Sequence, residues 1–283
     1  MLWWRAKPKP RLLHGAAALT RSRPKGVDVS SAGLAPFPAR HSPAASQGIG
    51  AAPTTIDLWG IDLAALETRQ DVRFTECLQP DEHAQANRYL RVATGQQFRL
   101  TRGALRRILA IYLNCAPAQV PLCRKPMGKP ALAPPCSRPA LTFNVSHTDS
   151  YALVALCNGR EIGVDVETRN RSLDVLGMAE RFFAPEETAE LRTVGEAEQL
   201  TAFLQLWTRK EALLKGQGRG LSQDWTDVRV GSLKCSPVTI PSADLAVLWQ
   251  VLDLDLQTKH MGAVAIAGTE PFHVRWRATE ELF

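Results

Sequence analysis

The chain has 283 residues, of which 45% are hydrophobic and 22% are charged, so it can bury a sizeable core in one large domain or two ordinary ones. Its net charge is +6, but residues 1–50 contain eight basic side chains and one acidic side chain, and the remaining chain is close to neutral. This distribution argues against a nucleic-acid-binding protein, and the lack of an apolar run of roughly 18 residues argues against a membrane span.

The six cysteines are scattered along the chain. They form no CxxC pair and have no zinc-finger spacing, which argues against the usual structural zinc sites. Isolated thiols suit the reducing cytosol better than a secreted disulfide framework. We therefore predict a cytoplasmic protein with no membrane segment and no nucleic-acid partner.

Residues 1–50 are rich in Pro, Ala, Ser, Gly and Arg and show no sustained period. This composition predicts a disordered basic tail. An Arg-rich, acid-poor transit peptide and a start codon placed too far upstream are the alternatives.

The folded part is predicted to begin near Thr55, where TIDLWGIDL alternates as a strand does. Two helices are predicted in PDEHAQANRYL and GQQFRLTRGALRRILAIYLN, the second with a clear apolar stripe. After a Pro-rich connection over 117–139, the segments ALTFNVSHT and YALVALCN are typical of strands. The dipeptide Asn158-Gly159 predicts a turn, and EIGVDVE predicts the next strand.

Helices and strands also alternate in the second part of the chain. Helices are predicted in LDVLGMAERFF, in APEETAELRTVG with Pro185 in its first turn, and in EQLTAFLQLWTRKEALLKG, which the Gly-rich GQGRG ends. The segments VRV, LAVLWQVLDL, GAVAIAG and HVRWR predict strands. Hairpin-like strand pairs mixed with helices indicate an α+β fold, or mixed α/β, with antiparallel-rich sheets.

The segment IGVDVE contains two candidate metal ligands. Asp165 and Glu167 are two residues apart, so they share one face of the strand, opposite Ile162, Val164 and Val166. Oxygen ligands of this kind suit a hard divalent cation. An exposed strand face that alternates apolar and acidic residues is the alternative.

The segment WTRKEALLKG contains a second acidic candidate. Trp207, Glu211 and Lys215 are four residues apart, so they lie on one face of the predicted helix. Glu211 can act as a third carboxylate ligand or as a base, and Lys215 can bind a phosphate. An ordinary Glu–Lys surface pair is the alternative.

Three further segments contain candidate anion-binding residues. Ser146 and His147 end a predicted strand, where phosphate binding fits better than a Ser–His nucleophile because neighbouring strand residues face opposite ways. Lys129 lies in the turn MGKP, and Arg99 belongs to a helix flank of arginines that suits a phosphate or an acidic partner. A solvated loop lysine is the alternative for Lys129, and a solvated helix face is the alternative for the arginines.

Taken in order, GKP, FNVSH, IGVDVE, RFFAPEE and WTRKEALLK resemble the 4′-phosphopantetheinyl transferases of the Sfp type. The resemblance covers roughly residues 55–275. It implies two pseudo-symmetric halves with the active site in the cleft between them. We assign the halves to residues 55–158 and 159–275, after the tail of residues 1–50.

The resemblance also implies an activity. Such enzymes, also known as holo-acyl-carrier-protein synthases, transfer phosphopantetheine from coenzyme A to a serine of an apo acyl or peptidyl carrier protein and release adenosine 3′,5′-bisphosphate. Mg²⁺ is the implied metal ion, and a monomer is the implied state. The implied ligands of the metal are Asp165, Glu167 and Glu211.

The remaining roles follow from the same resemblance. Glu211 matches the proposed general base, and Lys215 matches a lysine that contacts phosphate and assists the leaving group. The implied contacts of coenzyme A are Arg99, Lys129, Ser146, His147 and Lys215. A Mg²⁺-dependent phosphohydrolase or nucleotidyl transferase with the same carboxylates, and a non-enzymatic binding protein, are the competing hypotheses.

Overall fold

The computed structural model describes residues 53–69, 72–136, 138–148, 150–218, 225–241, 247–256, 259–277 and 279–283. In this part of the chain, helices are mixed with mostly antiparallel strands, so the predicted α+β class is confirmed. The predicted basic tail, residues 1–50, lies outside the described residues. The division into halves at residue 158 stays a prediction.

The five helices predicted from the sequence are present, whereas the helices Leu63–Arg69 and Arg73–Glu76 were not predicted. Pro185 is in the first turn of its helix, as predicted, and the longest C-terminal helix ends at Gly218, whose φ of 71° suits a residue without a side chain. The described helices are α1 (Leu63–Arg69), α2 (Arg73–Glu76), α3 (Pro80–Asn87), α4 (Val92–Leu113), α5 (Val175–Phe182), α6 (Pro185–Arg192) and α7 (Glu196–Gln217).

The strands form two four-stranded sheets and one short hairpin. The described strands are β1 (Thr54–Asp62), β2 (Leu122–Arg124), β3 (Pro130–Leu132), β4 (Leu141–His147), β5 (Tyr151–Asn158), β6 (Ile162–Thr168), β7 (Val238–Pro241), β8 (Leu248–Asp255), β9 (His260–Ala267) and β10 (Phe272–Arg277). The first sheet has the order β10-β1-β5-β4 and the second β6-β9-β8-β7, while β2 pairs with β3. The last strand, β10, therefore returns to the first sheet, where it pairs in parallel with β1.

Three apolar cores separate the layers. One core contains Ile56 of β1 and Val164 of β6, so it draws on both sheets. A second core packs α4 on the first sheet, and a third packs α7 on the second sheet. The layer order is thus α4, first sheet, second sheet and α7, which leaves β6 with apolar neighbours on one face and α7 on the other.

Strands β4 and β6 belong to different sheets but are linked by side chains. The amide of Val164 donates to Asn144 Oδ1 at 3.1 Å, and the amide of Val166 donates to Ser146 Oγ at 3.4 Å. These side-chain acceptors take the place of the backbone carbonyls of a sheet ladder. The link holds the end of β4, where Ser146 lies, beside the middle of β6.

The predicted strand VRV is not a strand in the structure, so this prediction was wrong. Side chains, rather than a neighbouring strand, satisfy its backbone. The amide of Val230 donates to Glu187 Oε1 at 2.7 Å, and the carbonyl of Val228 accepts from Lys210. β-branched composition alone did not reveal these side-chain partners.

Candidate active site

Strand β6 is buried on both faces. Ile162, Val164 and Val166 lie in the core between the sheets, as their alternation predicted. Asp165 and Glu167 share the opposite face, also as predicted, but that face is covered by α7 and exposes only 0% and 2% of the two residues. The interpretation of an exposed acidic face therefore does not hold.

Gly163 sets how closely α7 approaches this strand. A Cβ atom at this position would lie 1.9 Å from the carbonyl oxygen of Ala212 and 2.4 Å from the amide nitrogen of Gly216. Both atoms belong to the helix backbone, so a rotamer change cannot relieve the clash. The bare backbone at Gly163 is what allows the helix to contact the strand.

We expect Gly163→Ala to destabilise the protein by about 1–3 kcal/mol, the usual cost of overpacking, because α7 must move away from β6. Urea unfolding measures this change. Gly195→Ala is the matched control, since its added Cβ would meet the movable end of the Glu198 side chain at 2.8 Å. Equal stabilities for the two variants would contradict the close-approach interpretation.

The first ion pair on this interface joins Lys215 and Asp165. Lys215 Nζ lies 2.6 Å from Asp165 Oδ1 and 2.7 Å from Ser146 Oγ, and the Ser146 hydroxyl donates to Asp165 Oδ1 at 2.8 Å. Asp165 is fully buried and the Lys215 side chain is 11% exposed. Three sequence-predicted residues from β4, β6 and α7 thus meet at one point.

The second pair involves Glu167. Its Oε1 accepts a hydrogen bond from Trp207 Nε1 at 3.2 Å, and its Oε2 pairs with Arg171 Nη1 at 3.1 Å. Trp207 was predicted to share a helix face with Glu211 and Lys215, but its bond to Glu167 was not predicted. Arg171 was missed altogether, because it lies beyond the end of β6 in a segment with no periodic signal.

Glu211 lies between these two pairs on α7. It is four residues after Trp207, which reaches Glu167, and four residues before Lys215, which reaches Asp165. About one helical turn separates Glu211 from each of these two residues, so Glu211 is on the helix face that covers β6. It is 7% exposed. The predicted grouping of these residues on one face is therefore present in the structure.

Three carboxylates on one buried interface suit a metal ion such as Mg²⁺ in donor type, since hard cations prefer oxygen ligands. Within the ranges that the structure describes, however, no three His, Cys, Asp or Glu side chains are close enough to form a ready-made metal centre. Asp165 and Glu167 instead have cationic neighbours, Lys215 and Arg171. The assignment of the three carboxylates as metal ligands stays a prediction.

The remaining predicted residues lie on the neighbouring elements. His147 is the last residue of β4, directly after Ser146. Arg99 is half-buried on α4 and donates to Asn87 at the end of α3. Lys129 is 3% exposed and is hydrogen-bonded to Glu161. The binding of coenzyme A by these three residues stays a prediction.

Two other arginines on the flank of Arg99 have an internal partner. Arg106 Nε lies 2.7 Å from Glu82 Oε2, and Arg102 Nε lies 3.4 Å from Glu82 Oε1. Both arginines are 3% exposed, and burial lowers the pKa of Arg102 to about 10, although Glu82 opposes the shift. Arg102 and Arg106 are therefore paired inside the protein with Glu82 of α3, a contact that was not predicted from the sequence.

Sequence comparison relates the chain that forms this site to a known family. A model described as the 4′-phosphopantetheinyl transferase superfamily matches residues 161–266, and one described as 4′-phosphopantetheinyl transferase, N-terminal, matches residues 67–158. The chain is 34% identical over 214 residues to the 4′-phosphopantetheinyl transferase HetI of Nostoc sp., a match that covers 75% of this chain and 88% of HetI. The chain belongs to the 4′-phosphopantetheinyl transferase superfamily.

Two further relatives of the transferase agree with this assignment. The 4′-phosphopantetheinyl transferase Sfp of Bacillus subtilis is 26% identical over 158 residues, which cover 56% of this chain and 67% of Sfp. The enzyme gsp of Aneurinibacillus migulanus is 29% identical over 168 residues, which cover 56% and 68% of the two chains. The predicted Sfp-like family and enzyme class are confirmed.

The described part of the transferase contains no helix that is both long enough and apolar enough to span a membrane.

Proposed function

We propose that this transferase moves the 4′-phosphopantetheine group of coenzyme A onto a serine of an apo carrier protein. The observation that carries the proposal is the packing of α7 on β6, which buries Asp165, Glu167, Glu211 and Lys215 on one interface. Membership of the superfamily supports the group that is transferred. Acidic and cationic groups held in a buried site suit a phosphoryl-type transfer, where positioning and charge stabilisation supply most of the catalysis.

The bonds of the proposed reaction balance as follows. The serine oxygen of the carrier protein forms a bond to the phosphorus atom that bears pantetheine, and the bond from that phosphorus to the bridging oxygen breaks. Adenosine 3′,5′-bisphosphate leaves with the bridging oxygen. Glu211 accepts the serine proton directly or through a water molecule. Lys215 donates a hydrogen bond to a phosphate oxygen of the leaving group.

Mg²⁺, with Asp165, Glu167 and Glu211 as its proposed ligands, would neutralise charge on the pyrophosphate oxygens. In the structure, the ammonium group of Lys215 pairs with the carboxylate of Asp165 at 2.6 Å. If Lys215 exchanged this carboxylate for a phosphate group of coenzyme A, its ammonium group would contact the substrate. Ser146, His147 and Arg99 are the proposed contacts of the coenzyme A phosphates. Ser146 and His147 lie on β4, which is next to β6, whereas Arg99 lies on α4 and contacts Asn87 at the end of α3.

The experiment that tests the proposal uses the purified full chain, coenzyme A, Mg²⁺ and a panel of apo acyl and peptidyl carrier proteins. We expect intact-protein mass spectrometry to show a gain of one phosphopantetheine on at least one carrier, with release of adenosine 3′,5′-bisphosphate. A carrier variant with its acceptor serine replaced by alanine is the control, and chelation of the metal should stop the reaction. Consumption of coenzyme A without a carrier adduct would instead favour a phosphohydrolase.

A further inference from the structure

The side chain of Lys129 is buried between three segments that are distant in the sequence. It comes directly before β3 and is 3% exposed. Its ammonium group donates to Glu161 Oε2 at 2.9 Å, to the carbonyl of Ile162 at 3.2 Å and to the carbonyl of Gly216 at 2.9 Å. An ammonium group has three donors, so all three are used within the protein.

These acceptors lie next to the active-site residues. Ile162 is the first residue of β6, three positions before Asp165, and Gly216 follows Lys215 in the last turn of α7. Carbonyls in the last turn of a helix lack intrahelical donors, and a cation is favourable at that end of the helix dipole. The Lys129 ammonium therefore joins the start of β6 to the end of α7.

The neighbouring Lys125 offers a natural comparison. Lys125 Nζ lies 2.9 Å from Glu161 Oε1, so both lysines pair with the same carboxylate. The side chain of Lys125 is 46% exposed, whereas that of Lys129 is 3% exposed and also binds two carbonyls. Burial lowers the pKa of Lys129 below its usual value, while the hydrogen bond to Glu161 opposes this shift.

We propose that Lys129 is a positioning residue, which holds the last turn of α7 against the start of β6 and so determines where Lys215 meets Asp165. In this role it does not bind coenzyme A itself. The kinetic part of the test rests on the proposed transfer reaction, but the contact between helix and strand can be measured without it.

The test compares Lys129→Met with Lys125→Met in the full chain, because the same substitution removes either the buried or the exposed partner of Glu161. Misplacement of a catalytic group by about 1 Å can cost roughly 100-fold in rate. We expect Lys129→Met to lower kcat by about 10- to 100-fold and to leave KM and Kd for coenzyme A within about threefold of the wild-type values. Lys125→Met should leave all three constants unchanged.

A second measurement does not depend on activity. Amide hydrogen exchange over residues 210–218 should become faster in Lys129→Met and stay unchanged in Lys125→Met, since only the first loses the bond to Gly216. Unchanged protection in Lys129→Met would overturn the proposal, as would a tenfold or larger rise in the Kd of coenzyme A with an unchanged kcat. The latter result would make Lys129 a coenzyme A ligand.

Glu161→Gln covers the possibility that Lys129→Met does not fold. This variant leaves the two carbonyl acceptors of Lys129 in place and weakens the third bond. We expect a smaller fall in kcat in the same direction, again with an unchanged Kd for coenzyme A, and a changed Kd with a normal kcat would count against the proposal. If the wild-type chain transfers nothing, the proposed function fails, and the exchange measurement still decides the role of Lys129.

Discussion

Replacement of Glu211 by Gln is expected to lower kcat for phosphopantetheine transfer by about 10²–10⁴-fold, the range that a positioned general base contributes. Glutamine keeps the volume of the side chain but can neither accept the serine proton nor supply a negative oxygen. Glu211 is 7% exposed, on the helix face where Trp207 reaches Glu167 and Lys215 reaches Asp165. A change of charge at this position therefore affects the centre of the buried interface.

The measurement is single-turnover formation of the holo carrier protein, followed by intact mass. Glu198→Gln is the matched control, because Glu198 is an exposed acid in the first turn of the same helix. Its rate should stay at the wild-type value. Thermal unfolding should show that Glu211→Gln is folded. A rate within a fewfold of wild type would remove Glu211 from both of its proposed roles.

The metal dependence of the same variant separates the two roles of Glu211. If its main role is to bind Mg²⁺, a higher Mg²⁺ concentration should recover part of the lost rate, because a weakened site is filled by mass action. If its main role is to accept the proton, the rate should stay low at every Mg²⁺ concentration. Asp165→Asn, which has no proposed role as a base, should behave as the first case.

The arrangement of the proposed catalytic face could be predicted from the sequence because it depends on local periodicity. Residues two apart in a strand lie on one face, so Asp165 and Glu167 were predicted to lie together. Residues four apart in a helix also lie on one face, so Glu211 and Lys215 were predicted to lie together. The other predicted strands and helices follow from the same two periods, with the exception of VRV. The elements that were not predicted are α1, α2, β2, β3 and β7. What these periods cannot show is which face of one element packs on another.

The burial of the acidic face illustrates this limit. The alternation in β6 separates apolar from acidic residues, but the cover over Asp165 comes from α7, which follows tens of residues later. The contact of Lys129 with Gly216 spans 87 positions, and Arg171 pairs with Glu167 from a segment without regular structure. The first contact is set by tertiary packing, and the second joins residues four apart outside a helix, so neither the helix period nor the strand period indicates them.

Glu187 is a further example, and it leads to the prediction with the largest effect on stability. Glu187 is the last residue of RFFAPEE, one of the segments that resemble the transferase family. In the structure, Lys210 Nζ lies 2.7 Å from Glu187 Oε2, and Lys210 also donates to the carbonyl of Trp225 at 3.1 Å. The side chains are 0% and 6% exposed, so the pair is buried. Its partners indicate a structural role.

We expect Lys210→Met to lower the free energy of unfolding by about 3–5 kcal/mol, because it leaves the buried charge of Glu187 without its counter-ion. Lys210→Met combined with Glu187→Gln should recover much of this loss, since the double variant removes both charges. Urea unfolding measures both variants.

Arg229→Gln is the control: the ion pair of Arg229 with Glu186 has a length of 3.3 Å and side chains that are 71% and 67% exposed. Breaking such a surface pair costs about 0–1 kcal/mol. A loss of that small size in Lys210→Met would show that the Lys210–Glu187 pair is not needed to stabilise the packing of α6 on α7.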